Sequence, residues 1–154
     1  MSLLCGFDAM AKKKNNKKEY NYELSPVGVG SQGTALIKVY SYAKNVKDAT
    51  MLAKENAVHG ILFKGIVGGQ GVSSQRPLVS PAEKEAHEEF FEEFFNNGTY
   101  EQFVNLSNDG TIDPSDQRKV GKLYKIGVIV SVNKEELRKY LESQGIIKKL
   151  GSIF

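Results

Sequence analysis

The chain has 154 residues, 40% of them hydrophobic and 25% charged, a composition typical of one globular domain with a core of its own. Its formal net charge of +3 is concentrated in residues 12–18, which contain five lysines. Without residues 1–18, which hold these lysines and Asp8, the net charge is −1, and this excludes a body-wide basic surface for nucleic acid.

Residues 1–11 have the pattern of the end of a secretory signal peptide. The apolar run from Leu3 to Phe7 is followed by Ala9-Met10-Ala11, whose small first and third residues suit signal peptidase. We therefore expect cleavage after Ala11 and a secreted or periplasmic protein; the alternative is an ordinary disordered N-terminus. Residues 12–18 would form a basic linker, and residues 19–154 a single α+β domain.

Cys5 is the single cysteine of the chain. It follows a large residue, Leu4, which does not suit lipid attachment, and it lies in the segment that we expect to be removed. The mature protein would then have no cysteine, which excludes disulfides, a cysteine nucleophile and a cysteine-based zinc site. No apolar run approaches the length that spans a bilayer, so we expect no transmembrane segment.

The first two strands are predicted on either side of a glycine-rich turn. Residues 19–24 alternate in polarity, and Pro26 should end or bend this strand. Residues 28–33 contain a GxGxxG sequence. In a dinucleotide site such glycines open a helix, but the β-branched and aromatic residues that follow predict a second strand, so we interpret the glycines as a turn.

The second strand has two different faces. Its small and β-branched residues predict a core face made of Ala35, Ile37 and Val39. The opposite face is amphipathic, and we expect it to be an outer face that a tail or a partner partly covers. The residues of that face are Leu36, Lys38, Tyr40 and Tyr42.

The longest helix is predicted over residues 46–66. Its apolar stripe recurs at three- and four-residue spacing and is mostly small, which would let the helix approach the sheet closely. The stripe consists of Ala49, Leu52, Ala53, Ala57, Gly60 and Phe63. His59 lies beside the stripe, one turn after Glu55. Such a pair could transfer protons, but we interpret His59 as a boundary residue that pairs with its helical neighbour.

A glycine cluster at residues 65–71 ends this helix and begins a loop that extends to residue 80. Consecutive glycine amides can bind an anion, although no Lys-Ser or Lys-Thr follows to make a P-loop. Two cations and a histidine near the cluster make it the candidate ligand site. The residues of this site are His59, Lys64, Gly68, Gly69 and Arg76.

Ser80-Pro81-Ala82-Glu83 predicts the start of a helix over residues 81–96, which has phenylalanines on its core side and six glutamates. His87-Glu88 begins like a zincin motif, but the second histidine is missing. Residues 105–116 have the oxygen spacing of a calcium-binding loop, although several ligand types differ and a strand follows. We interpret them as a surface loop with turns, and we predict no metal or other cofactor.

The last part of the chain is predicted to add a strand and a helix. Residues 100–106 fit either a short helix or a strand. Residues 122–132 form the clearest strand, and residues 133–144 form a helix after which the apolar tail should dock on the body. The core face of the strand comprises Tyr124, Ile126, Val128, Val130 and Val132.

The string Ala57-Val58-His59-Gly60, followed by Phe63-Lys64-Gly65, resembles a family of small secreted proteins of Bacteroides-type bacteria that has no assigned function. The strand after Gly33 and the late strand and helix extend this resemblance over most of the chain. More distantly, the chain is similar to the twenty-kilodalton envelope lipoproteins and to the N-terminal domain of the periplasmic flagellar T protein. The resemblance implies a small domain that serves an envelope assembly by binding partners, with no catalytic residues to transfer.

We therefore predict an α+β fold with a three- to four-stranded, mainly antiparallel sheet and helices on one face. The first functional hypothesis is a non-catalytic envelope protein that binds an envelope or outer-membrane protein. The second is a small-ligand-binding protein or enzyme that uses the 65–80 loop with His59, Lys64 and Arg76; a pocket joining His59 to Arg76 would favour it. The third, nucleic-acid binding, would depend on the lysine tail alone.

Overall fold

The computed structural model describes residues 19–29, 33–69, 73–107 and 111–149. Several expectations fall outside these ranges. They are the signal segment and linker at residues 1–18, the tip of the glycine turn at 30–32, Gly71, the centre of the calcium-like loop at 108–110, and the docking of the tail after Lys149.

Within these ranges the sheet has five strands, and every pairing between them is antiparallel. The strands are β1 (Tyr22–Val29), β2 (Ala35–Ala43), β3 (Val104–Leu106), β4 (Gln117–Val120) and β5 (Leu123–Val132). β2 lies between β1 and β5, while β3 and β4 pair with opposite ends of β5. The α+β prediction is confirmed, and the sheet is one strand larger than expected because two short strands share the far side of β5.

In the described part of the chain, four α-helices accompany the sheet. They are α1 (Val46–Phe63), α2 (Pro81–Ala86), α3 (Glu88–Asn96) and α4 (Lys134–Ser143), and short 3₁₀ turns cover Thr99–Phe103 and Pro114–Asp116. Side chains of Asn45, Ser80 and Asn133 cap the first amides of α1, α2 and α4. Ser80 and Glu83 form the reciprocal capping box that the sequence predicts.

The core lies between the helices and one face of the sheet. Ile37 and Val39 of β2 and Val128 of β5 are fully buried. The intervening side chains of β2 are only half-buried, so the helices cover one face and leave the other open. The open side, called the outer face below, consists of Glu23, Leu36, Lys38, Tyr40, Tyr42, Lys125 and Ile129.

The small-residue stripe of α1 lies against the core, as predicted. Ala49, Ala53 and Ala57 have no exposed surface. One turn further, a Cβ on Gly60 would overlap the side chain of Leu24 on β1, so this end of α1 also approaches the sheet closely. A buried hydrogen bond of 2.9 Å from Asn56 Nδ2 to Ser41 Oγ connects α1 to β2 at a fixed position.

Pro26 was expected to end or bend β1. The strand does not end there but continues to Val29, and its pairing with β2 is irregular at this point, with a register shift between Pro26 and Gly28. β1 lies at an edge of the sheet, and an edge strand or an irregular pairing tolerates a residue that has no N–H. The proline is therefore accommodated inside the strand.

Two predicted helices differ from the observed ones. α1 ends at Phe63 rather than at residue 66, because Gly65 has a φ of 76° and the chain turns there. The helix expected over residues 81–96 is divided at His87, whose dihedrals are not helical. α2 has no buried residue, whereas α3 buries Phe91 and Phe94, so the break lets α3 present its aromatic face to the core.

The segments around β5 also differ in detail. Residues 99–106 are both helical and extended: a 3₁₀ turn is followed by β3. Tyr124, expected in the core, is 40% exposed, because the N-terminal end of β5 extends beyond the helical layer. In the described ranges, no helix combines the length and the apolar character needed to cross a membrane.

Candidate functional site

His59 lies in a buried cluster of aromatic rings between α1 and the start of β1. Its ring stacks on Tyr20 with 3.7 Å between centroids and 15° between planes. Its Nδ1 lies 2.7 Å from the hydroxyl of Tyr22. Tyr20 in turn donates a 2.8 Å hydrogen bond to Glu55 Oε2. We call Tyr20, Tyr22, Glu55 and His59 the tyrosine–histidine cluster.

The partner of His59 differs from the one expected. Glu55, one turn earlier, was the expected partner, but Nδ1 shares its hydrogen bond with the hydroxyl of Tyr22, 37 residues away in the chain. His59 is only 8% exposed and is therefore a buried residue rather than one at a boundary. The cluster thus fixes the first residues of β1 to the middle of α1.

The surroundings of His59, Tyr20 and Tyr22 favour the neutral forms of these three side chains. Burial, with the nearby charges of Lys84 and Lys64, lowers the pKa of His59 to about 3. Burial also raises the pKa of Tyr22 and, with a hydrogen bond to Glu55, the pKa of Tyr20 well above the ordinary value. A proton-transfer catalyst working near neutral pH needs a group with a pKa close to that pH. At neutral pH, His59 is a neutral hydrogen-bonding group that holds two elements together.

The buried, neutral state of His59 predicts a pH dependence of stability. The unfolded chain binds a proton at His59 below its ordinary pKa of 6.5, whereas the folded chain does so only near pH 3. Stability should therefore fall as the pH falls through this window, with a limiting slope of about 1.4 kcal/mol per pH unit. Between pH 6.5 and 4.5, His59 should contribute a loss of about 2 kcal/mol, measured by urea unfolding.

Carboxylates also titrate in this range, so the control is a variant that lacks only the imidazole. His59→Gln keeps a hydrogen-bonding group for Tyr22 and should be less stable than the parent at pH 7 but lose less stability on acidification. Equal acid slopes for parent and variant would contradict the assignment of a buried neutral histidine.

Lys64, the second predicted site residue, contacts the same cluster from outside. Its Nζ lies 4.1 Å from the ring centroid of Tyr22. Lys84 of α2 is similarly placed 4.5 Å from the ring centroid of Phe63. The structure thus brings His59 and Lys64 together at Tyr22. The lysine lies over the ring of Tyr22, and the histidine contacts the hydroxyl of the same residue.

The glycine loop has a different set of contacts. Ile66 and Gln75 exchange a pair of backbone hydrogen bonds of 2.8 Å, and Ser74 Oγ accepts a 2.8 Å hydrogen bond from the amide of Gly68. One amide of the supposed anion nest is thus used internally. Gly69 and Arg76 are exposed. Neither of these described residues takes part in the hydrogen bonds and ring contacts that hold His59 and Lys64.

The space beside this loop is small. A cavity of about 40 Å³, lined in part by Ile66, Gln75 and Ala35, is large enough for a water molecule rather than for a metabolite. The described residues His59, Lys64 and Arg76 do not line it. Backbone geometry explains Gly65 better than a ligand does, because a Cβ there would overlap the carbonyl oxygen of Gln75.

This explanation predicts different costs at two glycines of the loop. Gly65→Ala should lower the free energy of unfolding by about 1–3 kcal/mol, since it adds a side chain at positive φ against backbone. Gly69→Ala, whose Cβ would have 4.0 Å to Pro26 Cγ as its nearest contact, should cost less than about 1 kcal/mol. Thermal denaturation of the two variants measures the difference, and equal costs would refute the assignment.

The outer face of the sheet carries charged groups laid over tyrosine rings. Lys125 Nζ forms a 2.6 Å ion pair with Glu23 and lies 5.2 Å from the ring centroid of Tyr40. Lys38 forms a 2.8 Å ion pair with Asp116, whose Oδ1 also accepts from the hydroxyl of Tyr40. These pairs raise the pKa of both lysines and lower that of Glu23. The face is thus an ordered array of paired charges and aromatic surface.

Gly127 makes this arrangement possible. It pairs with Tyr40 across the β2–β5 ladder, and a Cβ on it would lie 2.8 Å from the Tyr40 ring and 3.2 Å from Asp116 Cβ. The ring and the 3₁₀ turn that holds Asp116 can therefore rest directly on the backbone. An open cleft of about 340 Å³ lies beside them, lined by Ser25, Pro26, Val27, Lys38, Tyr40 and Ile129.

The calcium-like loop uses its described acidic residues for other contacts. Asp113 Oδ1 accepts hydrogen bonds from the amide and hydroxyl of Ser115, which lower the pKa of Asp113, and Asp116 pairs with Lys38. Within residues 19–29, 33–69, 73–107 and 111–149, no group of three histidine, cysteine or acidic side chains is placed to hold a metal. Every buried side-chain nitrogen or oxygen there has a hydrogen-bond partner.

Sequence reasoning found part of these sites and missed part. It singled out His59 and the amphipathic face of β2, but not Tyr20, Tyr22, Lys125 or Asp116 as their partners. Alternation along β1 and β2 was the signal for the tyrosines; the pairing of distant segments had no local signal. Searches against protein-family models, curated proteins and solved structures found no match to this chain.

Proposed function

We propose that this protein is a non-catalytic binding or assembly module of the cell envelope, secreted or periplasmic, that docks a protein partner on the outer face of its sheet. The observation that supports it is the contrast between the two sides of the sheet. On one side the reactive groups are buried and paired with each other. On the other, Tyr40 and Tyr42 lie on a face that none of the four described α-helices covers and that contains an open cleft.

The chemistry of the outer face suits a protein partner. Tyrosine rings provide large contact area with few rotatable bonds and a hydroxyl that finds polar partners. The ion pairs of Lys38 and Lys125 hold the neighbouring charges in place before binding, which reduces the ordering cost of an interface. Glu23 and Lys125 would form part of a polar rim.

The envelope location is proposed from the N-terminal pattern of residues 1–11 and from the resemblance to small secreted proteins of Bacteroides-type bacteria. Fractionation of cells that produce the full-length protein tests it. We expect a chain cleaved after Ala11 outside the cytoplasm. An uncleaved chain confined to the cytoplasm would end the envelope proposal without affecting the docking surface.

The competing hypothesis, a ligand-binding protein or enzyme built on the 65–80 loop, has weaker support. His59 is buried and hydrogen-bonded to Tyr22, and the amide of Gly68 is bonded to Ser74. The pocket that would favour this hypothesis should join His59 to Arg76. The cavity beside the loop and the outer-face cleft are lined by other described residues.

Affinity capture from envelope extracts tests the docking surface. The bait with Tyr42→Ala and Lys125→Ala should capture at least about 10-fold less of any specific partner than the parent bait does. This loss is expected when an aromatic anchor and its charged neighbour are removed. The control bait, Lys139→Ala, changes an exposed lysine of α4 and should capture as the parent does. Equal capture by all three baits would refute the proposed surface, provided that their melting temperatures agree.

A further inference from the structure

The β4–β5 hairpin extends beyond the helical layer and exposes both of its faces. All four residues of β4 are exposed, as are the first two of β5. The register pairs Val120 with Leu123 across a turn made of Gly121 and Lys122. We call residues 119–124 the hairpin tip.

The hairpin tip combines apolar and cationic side chains. Val120, Leu123 and Tyr124 are 42%, 37% and 40% exposed. Leu123 and Tyr124 are neighbours in the chain, and the register places Val120 opposite Leu123. Residues 117–125 also contain Arg118, Lys119, Lys122 and Lys125 and no acidic residue. Lys125 is paired with Glu23, which leaves a positive, partly apolar protrusion.

The opposite end of the molecule is acidic. The exposed residues of α2 and α3 include five glutamates, which are Glu85, Glu88, Glu89, Glu92 and Glu93. Phe94 of α3 packs near Phe103, which leads into β3, and β3 pairs with the C-terminal end of β5. The acidic helices therefore lie near one end of β5 and the hairpin tip at the other, about 30 Å away at roughly 3.4 Å per residue.

We propose that the hairpin tip seats on the surface of an anionic lipid bilayer. Lysine and arginine are attracted to anionic headgroups, while valine, leucine and tyrosine can enter the interfacial region. The acidic pole is repelled by the same surface, so the molecule would be oriented with its tip toward the bilayer. The inference is independent of the envelope location proposed above, because any anionic bilayer would serve.

A second copy of the chain fits the tip less well. The acidic helices would match its positive charge, but most of their exposed side chains are polar, chiefly carboxylates. Their exposed apolar residues, Pro81, Ala82 and Ala86, are small and offer the tip little apolar surface. A bilayer interface supplies both the negative charge and the apolar environment. The bilayer therefore satisfies both halves of the pattern at residues 119–124.

The experiment uses the absence of tryptophan from the chain. Tyr124→Trp places a single reporter in the tip of the full-length protein, in a background where the five lysines of residues 12–18 are changed to glutamine so that the tail does not itself attract lipid. With vesicles of phosphatidylcholine and phosphatidylglycerol at low salt, the emission should shift to the blue. Vesicles of phosphatidylcholine alone should produce no shift, and high salt should reverse it.

Two matched variants decide the outcome. Adding Lys119→Gln and Lys122→Gln should weaken vesicle binding by about 10- to 30-fold, since one lysine near an anionic surface is worth a factor of about five. The second variant carries the tryptophan reporter at Val67, which is 83% exposed. Val67 lies in the loop whose Gln75 accepts a hydrogen bond from Lys134, near the far end of β5. The emission of this reporter should not shift.

The proposal is overturned by any of three results. The first is no binding to phosphatidylglycerol vesicles at low salt by a protein that melts as the parent does. The second is an equal shift of the reporters at Tyr124 and Val67. The third is a different use of the two lysines in a protein that does not bind vesicles. It would be seen as concentration-dependent self-association in sedimentation velocity, or as binding of single-stranded DNA, and the two lysine substitutions would abolish it.

Discussion

Replacing Phe94 with alanine should lower the free energy of unfolding by about 3–5 kcal/mol, the largest effect that we expect from one substitution in this chain. Phe94 is 2% exposed. Its ring lies within about 6 Å of the rings of four other aromatic residues, Phe90, Phe95, Phe103 and Tyr140. Its removal leaves a cavity between α3, the 3₁₀ turn and α4, which rigid neighbours fill only in part. Chemical denaturation measures the loss.

The control for Phe94 lies next to it in α3. Glu93→Ala removes an exposed side chain from the same helical turn and should change stability by less than about 0.5 kcal/mol. If Phe94→Ala also cost less than about 1 kcal/mol, α3 would not be docked through its aromatic face. The position of the acidic pole relative to β5 would then lose its support as well.

Ala53→Leu should destabilise the protein by about 1–3 kcal/mol or more, because the added carbons have no space between α1 and the sheet. Ala53 has no exposed surface, and its neighbours on the stripe, Ala49 and Ala57, have none either. The same substitution would be harmless if α1 stood away from β2 and β5. A thermal or urea denaturation curve, with the slope checked for two-state behaviour, measures the change.

Met51→Leu is the companion control, since Met51 belongs to the same helix but is 62% exposed. It should change stability by less than about 0.5 kcal/mol. A neutral or stabilising Ala53→Leu would contradict the close approach of α1 to the sheet. Such a result would also weaken the argument that Gly60 is small because Leu24 lies against it.

Periodicity was sufficient to predict the elements that bury one face. The alternation of Ala35, Ile37 and Val39, and the four-residue spacing of the alanines in α1, follow directly from burial on a strand and on a helix. Caps at Ser80 and Asn133 were equally local signals, because they depend on residues three positions apart. These features determined the fold class before any tertiary contact was known.

β4 and the interior proline could not be predicted in the same way. All four residues of β4, Gln117–Val120, are exposed, so no alternation of polarity marks them as a strand. They form a strand only because the chain turns at Gly121 and pairs with β5. Pro26 was expected to end or bend its strand, and the missing N–H of proline carries a penalty inside a ladder. That penalty depends on whether the strand lies at an edge, which is a property of the sheet rather than of the sequence around it.

The candidate site shows the same division. His59 was placed on a helix beside an apolar stripe, and its helical neighbour Glu55 was its only visible partner. The actual partner, Tyr22, lies on a strand 37 residues earlier and is brought there by the packing of α1 on β1. The ion pair between Lys38 and Asp116 likewise joins residues that only the folded sheet brings together. Local sequence identified candidate residues, while tertiary packing determined their chemistry.

The central claim is that the uncovered face of the sheet is where this protein meets its partner. Site-specific photocrosslinking in the native host tests it most directly, with benzoylphenylalanine placed at Tyr42 on the outer face or at Met51 on the helical side. We predict a discrete crosslinked product with an envelope protein from position 42 and none from position 51. A product from position 51 alone, or none from position 42, would contradict the claim.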